Sequence, residues 1–148
     1  MYVAGKISSL QMISRSGEKK FLTGGITSKA EYCIDAAGIG GDDWWVEGYA
    51  SGLSLRACLN ALKMRYRLHI CFSAQNLQRM AHSGYVVADN DASETGAKAA
   101  QATGLPYWMP LTTGEDINDV WKRDGTFRAS QALRKWLQGL ADEKAYYQ

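Results

Sequence analysis

A short apolar run that ends in acidic residues gives the clearest indication of the fold: Tyr85-Val86-Val87-Ala88-Asp89-Asn90-Asp91. Continuous apolar residues are typical of a strand that is buried on both faces of a parallel sheet. A second run of this kind, Trp44-Trp45-Val46, ends at Glu47-Gly48. Because the carboxyl ends of parallel strands meet at one edge of a sheet, the pattern predicts that these acidic residues converge there.

Segments with helical periodicity lie between the apolar runs. Apolar residues recur at i, i+3, i+4 and i+7 in Leu55, Cys58, Leu59 and Leu62, after Ser51 as a candidate N-cap. Strands are also predicted at 68–72 and 107–109, and helices at 76–81, at 94–103 and from 116 onward. This alternation predicts an α/β fold: a mostly parallel sheet of about four strands with flanking helices.

Residues 1–41 have a different character. Short β-type segments at 6–13, 20–22 and 31–34 are separated by turn residues such as Ser16-Gly17 and Gly24-Gly25, which predicts a β-meander. We therefore divide the chain into an N-terminal β extension at 1–41, an α/β core at 42–124 and a C-terminal helix at 125–148 that packs on the core.

The composition is that of an ordinary folded domain, with 148 residues of which 46% are hydrophobic and 22% charged. No stretch approaches the roughly 18 apolar residues that a membrane span requires, and residues 1–10 contain no readable secretory signal. Cys33, Cys58 and Cys71 lie far apart without a CxxC pair, so neither a zinc ribbon nor a disulfide framework is evident. These features predict a cytoplasmic protein with no membrane contact.

The net charge is only +2, but it is unevenly distributed along the chain. Residues 89–119 hold six acidic side chains and the single cation Lys98. Residues 48–88 contain no acid and five cations: Arg56, Lys63, Arg65, Arg67 and Arg79. This basic block and the acidic block are either neighbouring solvated faces or an acidic metal pocket ringed by phosphate-binding cations.

Carboxylates follow three of the predicted strands, as Glu47, as Asp89 with Asp91, and as Glu115-Asp116. Carboxylates about 5 Å apart repel by roughly 3 kcal/mol per pair at an effective dielectric near 20, so protonation or a cation must offset the repulsion. Hard oxygen ligands without His or Cys select Mg²⁺, which suits phosphoryl or nucleotidyl transfer. A single strand-end carboxylate, by contrast, is more often a helix cap or a solvated loop residue.

The order and spacing of these motifs resemble a Toprim domain, and they are most similar to the Toprim domain of bacterial, phage and plasmid DNA primases. The resemblance covers about residues 42–124 and implies a Rossmann-like Toprim fold for that core. It rests on Val46-Glu47-Gly48-Tyr49-Ala50-Ser51-Gly52-Leu53-Ser54-Leu55, on Val87-Ala88-Asp89-Asn90-Asp91 and on Pro110-(x3)-Gly114-Glu115-Asp116-Ile117-Asn118-Asp119.

The resemblance implies a metal-dependent nucleotidyltransferase that makes RNA primers on single-stranded DNA during replication. It implies that Glu47, Asp89 and Asp91 are catalytic, and that these residues hold Mg²⁺ or Mn²⁺ together with Asp116. Lys98 lies where relatives often carry a basic residue that reaches a phosphate. Nucleotides and a single-stranded template are then the substrates, and a helicase or other replication protein is a candidate partner. From the charge pattern, the cations expected to contact DNA phosphates are Arg56, Lys63, Arg65 and Arg67.

Two positions depart from the family pattern: Gln75, where relatives often have glycine, and Glu94, where a small residue is common. A full primase also has a zinc-binding domain and an N-terminal polymerase portion, so the chain is expected to be an excised domain or a stand-alone protein. Two other functions stay open. The same carboxylates serve a Toprim nuclease or nicking enzyme, and a non-catalytic module that binds nucleic acid or a replication partner fits the charge pattern.

Overall fold

Two short antiparallel hairpins open the chain in the computed structural model, which describes residues 1–36, 38 and 40–146. Strand β1 (Tyr2–Val3) pairs with β2 (Lys6–Ile7), and β3 (Gln11–Ile13) pairs with β4 (Lys19–Phe21). Each hairpin is a separate sheet of two strands.

The predicted β-meander is therefore wrong in its connectivity. The segment 6–13, expected to be one strand, is divided between β2 and β3 by Ser8, Ser9 and Leu10. The backbone N–H of Ser8 donates to the Met1 carbonyl at 3.1 Å, at the open end of the first hairpin.

The main sheet has five strands. They are β5 (Tyr32–Asp35), β6 (Asp42–Val46), β7 (Tyr66–Ile70), β8 (Tyr85–Val87) and β9 (Tyr107–Trp108). Their spatial order is β5-β7-β6-β8-β9; β5 is antiparallel to β7, and the other neighbours are parallel. The predicted mostly parallel sheet is confirmed, and the segment assigned to the N-terminal extension adds its antiparallel edge strand.

Within the described residues the helical segments are α1 (Tyr49–Ala61), α2 (Ala74–Met80), α3 (Thr95–Ala102) and α4 (Ile117–Tyr146). The last is interrupted at Gly125, where φ is 75° and ψ 168°, so its C-terminal part is a distinct helix, as predicted. Positions 147–148 of that prediction lie outside the described residues. In the part of the chain that the structure describes, no helix combines the length and apolar character needed to cross a membrane.

Helices cover both faces of the sheet, which explains the apolar runs in its central strands β6 and β8. Trp44 packs with Leu55 and Leu133 on the face covered by α1 and α4. Its neighbour Trp45 packs with Leu77 and Ala100 on the face covered by α2 and α3. Neighbouring strand residues point to opposite faces, so both tryptophans are buried. Burying a large apolar side chain stabilises a fold by about 2 to 3 kcal/mol.

A polar network joins the N-terminal segment to the main sheet. His69 on β7 has its Nδ1 2.7 Å from a Glu31 carboxylate oxygen and its Nε2 3.4 Å from Asp43 Oδ1. Its ring stacks on Trp45 with centroids 3.9 Å apart, and Arg67 donates to Asp43 at 2.7 Å. Burial by itself lowers the pKa of His69, but the neighbouring Cys33 and Glu31 raise it to about 10. The imidazole is therefore a cation held between carboxylates, which gives His69 a structural role.

This network predicts a pH dependence of stability. The pKa of His69 in the folded chain, about 10, exceeds the unfolded value of 6.5, so its contribution is complete below pH 6.5 and is lost as the pH rises toward 10. We expect the wild type to lose about 2 kcal/mol of unfolding free energy from this group between pH 6.5 and 9.5, allowing for solvent screening. His69→Gln should lack that component in urea unfolding measured at both pH values.

The matched control is His82→Gln, which removes an exposed imidazole whose Nδ1 lies 2.8 Å from the Met80 carbonyl oxygen. This variant should keep the wild-type pH dependence. Equal pH dependence in the wild type and His69→Gln would contradict the charged imidazole.

Candidate active site

The acidic residues lie at the point where the sheet reverses its strand order. Strands β6 and β8 are neighbours, with Val46 and Val87 as register partners, and they continue directly into Glu47 and Ala88-Asp89. From β6 the chain passes through α1 to β7 on one side, whereas β8 lies on the other side. In open α/β sheets a crevice forms outside the carboxyl ends of the strands at such a point.

The loop after β9 brings a third acidic segment to this crevice. Asn90 N–H donates to the Glu115 carbonyl at 3.0 Å, and Asn90 Nδ2 donates to the Pro110 carbonyl at 2.9 Å. The loop is thus tied along the acidic segment after β8. Asp116 follows immediately, and its charge acts on Asp89. Glu115 instead pairs with Arg123.

Asp89 has the most unusual environment of these acids. Its Oδ1 is buried and has no hydrogen-bond partner within the described part of the chain. Burial raises the pKa of Asp89 to about 7; the charges of Glu47 and Asp116 add to the shift, and Lys19 opposes it. A buried acceptor without a donor costs about 1 to 3 kcal/mol, so we expect this oxygen to bind a partner.

Gly96 is required for this arrangement. A Cβ placed on Gly96 would lie 2.5 Å from the Asp89 carbonyl oxygen. The first turn of α3 can therefore approach the backbone of Asp89 only through a residue without a side chain.

Glu47 is half-buried beside Asp89. Burial raises its pKa; the Lys19 ammonium opposes the shift, and the Asp91 charge adds to it. Its carbonyl accepts the Phe72 N–H at 2.8 Å, which fixes the end of β6 against the residues after β7. Gly48 follows in an extended conformation, with φ −93°, so the backbone there does not require glycine.

Asp91 and Asp116 also cap helices. Asp91 Oδ1 accepts the Thr95 N–H at 3.1 Å and Oδ2 accepts the Gly96 N–H at 2.8 Å, at the start of α3. The Ser93 hydroxyl and the Gly96 N–H lower the pKa of Asp91 to about 2. Asp116 Oδ1 accepts the Asp119 N–H at 2.9 Å at the start of α4, while Asp119 accepts the Asp116 N–H at 3.2 Å.

The prediction that Ser51 caps α1 is wrong. The helix begins at Tyr49 after Gly48, and no side chain caps it. Ser51 is buried in its first turn, where its hydroxyl donates to Asp116 Oδ2 at 2.7 Å. One turn later the Ser54 hydroxyl donates to Asn118 Oδ1 at 3.1 Å. These two bonds join the acidic segment after β9 to α1.

Lys19 on the β3–β4 hairpin is a site residue that sequence reasoning missed. Its charge acts on both Glu47 and Asp89. A Cβ on Gly48 would lie 3.8 Å from the Lys19 Nζ, so the ammonium reaches the turn after β6. No local motif marks Lys19, because only the packing of the hairpin against the sheet brings it here.

The predicted phosphate-binding cations do not gather around the carboxylates. Lys63 and Arg65 precede β7 and so lie at the sheet edge opposite Glu47, about 20 Å away by the length of α1. Arg67 is paired with Asp43 at 2.7 Å. Lys98 is exposed and pairs with Glu94 at 3.1 Å. Arg56 is exposed on α1.

The donor atoms of the crevice are chemically suited to a hard divalent cation. They are carboxylate oxygens, and the buried Asp89 Oδ1 lacks a partner that a cation would supply. Over residues 1–36, 38 and 40–146, however, no group of three or more His, Cys, Asp or Glu side chains is already arranged to hold a metal ion. Holding an ion therefore requires the carboxylates to turn further inward than they do here.

No protein-family model, no curated protein and no solved structure matches this chain. Its function is therefore inferred from the site described above and from the motif resemblance.

Proposed function

We propose that this chain is a Toprim-type, metal-dependent nucleotidyltransferase that acts on single-stranded DNA, with RNA primer synthesis as its reaction. The observation that carries the proposal is the buried Asp89 Oδ1, which has no hydrogen-bond partner among the described residues and lies beside Glu47 and Asp116 at the strand-order reversal. Like charges in a low-dielectric crevice destabilise the fold, and such arrangements are concentrated at functional sites. The order of the three acidic motifs along the chain supports the same conclusion.

Asp89 is the central metal ligand in this proposal, and Glu47, Asp91 and Asp116 complete the ligand set. The hydrogen bonds that Asp91 and Asp116 accept leave lone pairs on their oxygens, since each carboxylate has about four acceptor sites. When bound, Mg²⁺ or Mn²⁺ would neutralise phosphate charge and orient the attacking oxygen.

Glu47 has a second role as the group that accepts the proton of the attacking hydroxyl. Its raised pKa brings the carboxylate closer to the value at which a general base is effective near neutral pH. Lys19 supplies the positive charge that a phosphate needs beside this acidic surface. Lys98 and the cations on and after α1 would guide the template outside the crevice.

One incubation separates this function from its rivals. The chain, Mn²⁺, ribonucleotides and a labelled single-stranded template should yield extended products, and Asp89→Asn should yield none. Shortened template would instead indicate a nuclease or nicking enzyme. Unchanged template with a mobility shift would indicate a binding module. A replication partner such as a helicase is the kind of protein that the proposed function implies.

The cations far from the crevice give a prediction of their own. If Arg56, Lys63 and Arg65 contact phosphates, Arg56→Gln, Lys63→Gln and Arg65→Gln should each reduce the slope of log affinity against log salt by about 0.7 on single strands. Fluorescence anisotropy with a labelled oligonucleotide over a salt series gives the slope.

The control is Arg79→Gln, an exposed cation on α2 within the same acid-free segment. It should leave the slope unchanged. Arg67→Gln should instead lower stability, because it removes the shorter of the two ion pairs that Asp43 makes. Unchanged slopes in all three test variants would show that this face is only solvated.

A further inference from the structure

An aromatic cleft lies directly beside the acidic crevice. It has a volume of about 480 Å³, within the range of small-molecule sites. The cleft is formed between the N-terminal hairpins and the end of the main sheet, and its rings are those of Tyr2, Tyr32, Tyr49 and Phe72. Tyr32 lies between the other two tyrosines, with ring centroids 6.4 Å from Tyr2 and 6.3 Å from Tyr49.

The backbone connects this cleft to Glu47. Tyr49 is separated from Glu47 only by Gly48, and the Phe72 N–H donates to the Glu47 carbonyl at 2.8 Å. Phe72 has a φ of 64°, a left-handed conformation that is strained for a bulky residue. Such strain is concentrated at functional sites, where the surrounding structure maintains it.

A charged group and a polar group complete the cleft. Ile13 lines it, and the register partner of Ile13 is Lys19, whose ammonium reaches Gly48 at the boundary between cleft and crevice. Gln11 also lines the cleft, and its Oε1 is buried with no hydrogen-bond partner among the described residues. A primary amide carries both donors and acceptors, so it can pair with the edge of a base.

We propose that the cleft binds one nucleobase of the nucleic acid or nucleotide that reacts at the acidic crevice, with Lys19 on its phosphate. The inference rests on the proposed function. It assigns the base to the tyrosine and phenylalanine rings, the phosphate to Lys19 and the reacting end to Glu47 and Asp89. Aromatic stacking accepts any base, so the cleft contributes affinity and position rather than strict sequence selectivity.

The test compares a labelled oligothymidylate with an oligomer of the same length whose residues are abasic. Binding is measured in EDTA, so that no metal-dependent step contributes. The wild type should bind the thymidylate about tenfold more tightly, the usual contribution of one stacked base. Tyr49→Leu should abolish this preference, because it removes the π face and keeps an apolar side chain. Tyr49→Phe should retain it, and so should Tyr107→Leu, which alters a half-buried tyrosine on β9.

Lys19 is tested in the same assay. Lys19→Gln should weaken binding of both oligomers by the same factor, since both contain phosphates. Lys20→Gln should not, because Lys20 is the next residue on β4 and pairs with Glu18 at 3.2 Å. Competition by a mononucleotide shows that the cleft also accepts the base of an incoming nucleotide, and its failure limits the cleft to a base of the strand.

Equal binding of the two oligomers by the wild type, or a base preference that survives Tyr49→Leu, would overturn the proposal. The proposal would also be overturned if the wild type showed no base preference and formed a dimer that Tyr49→Leu dissociates, because the cleft would then bind a second copy of the chain. The binding assay contains no metal, so the two proposals can fail separately. If the wild type shows no base preference but has Mn²⁺-dependent activity, the cleft proposal fails and the proposed function stands. If it shows a base preference but no such activity, the cleft proposal stands and the proposed function fails.

Discussion

We expect Glu47→Gln to lower nucleotide incorporation 10²-fold or more, the usual contribution of a positioned proton-transfer group. The substitution keeps the size and much of the hydrogen bonding of the side chain and removes its charge. Affinity for single-stranded DNA should stay the same or increase, because one negative charge near the phosphates is lost. Incorporation and binding are measured on the same preparation with Mn²⁺ present.

The control for this variant is Glu94→Gln, which removes an acid that directly precedes α3. Glu94 is exposed and pairs with Lys98 at 3.1 Å, so its loss should change the rate by much less than tenfold. Full activity in Glu47→Gln would make Glu47 only a strand-end carboxylate. An inactive wild type that still binds DNA would favour the binding module over the enzyme.

A second large effect concerns stability at Asp89. The pKa of its carboxyl in the folded chain is about 7, well above the ordinary value of 3.8. The favourable contribution of a raised carboxyl pKa is complete at acid pH and is lost as the pH rises through 7. Without a divalent cation, ionised Asp89 thus destabilises the chain at pH 8, and Asp89→Asn should stabilise it by up to about 3 kcal/mol.

Mn²⁺ should remove most of this difference in stability. A cation that binds only the folded wild type stabilises it by about 2.7 kcal/mol at 100 times the dissociation constant. For a chain of this size that corresponds to a rise in melting temperature of roughly 5 to 11 °C. Asp89→Asn should show little response, whereas Asp142→Asn, an exposed acid on α4, should respond as the wild type does. A wild type that is insensitive to Mn²⁺, together with a destabilised Asp89→Asn, would contradict the account.

The main sheet was predictable because its strands carry local signals. Trp44, Trp45, Val86 and Val87 form apolar runs, and a strand covered by helices on both faces requires such runs. The acidic residue after each run follows from the same pattern, since it stands where the strand leaves the core. These parts of the fold and of the candidate site were accessible from sequence alone.

The long-range contacts were not predictable in this way. The pairing of β5 with β7 joins residues more than 30 positions apart and depends on the network around His69. Lys19 reaches Glu47 through the packing of a hairpin, not through a motif. A charge count along the chain also cannot say that Lys63 and Arg65 lie at the opposite sheet edge from Glu47.

Helix capping explains another part of what the structure adds to the sequence-based prediction. Asp91 and Asp116 were predicted as metal ligands from their positions after strands, and the structure shows each of them capping a helix. Both roles use the same residue type at the same kind of position, since a carboxylate oxygen can accept an N–H at the start of a helix or bind a cation. Asp89 differs because its Oδ1 has no such bond in the described residues.

The central claim is that the crevice around Asp89 binds a divalent cation, and direct titration with Mn²⁺ tests it. Free Mn²⁺ gives an electron paramagnetic resonance signal that is lost on binding, so the decrease in signal counts the bound ions. The wild type should bind about one or two ions per chain, the number used at phosphoryl-transfer sites. Asp89→Asn should lose this binding while Asp142→Asn should keep it. Equal Mn²⁺ uptake by the wild type and Asp89→Asn, or no uptake by the wild type, would contradict the claim.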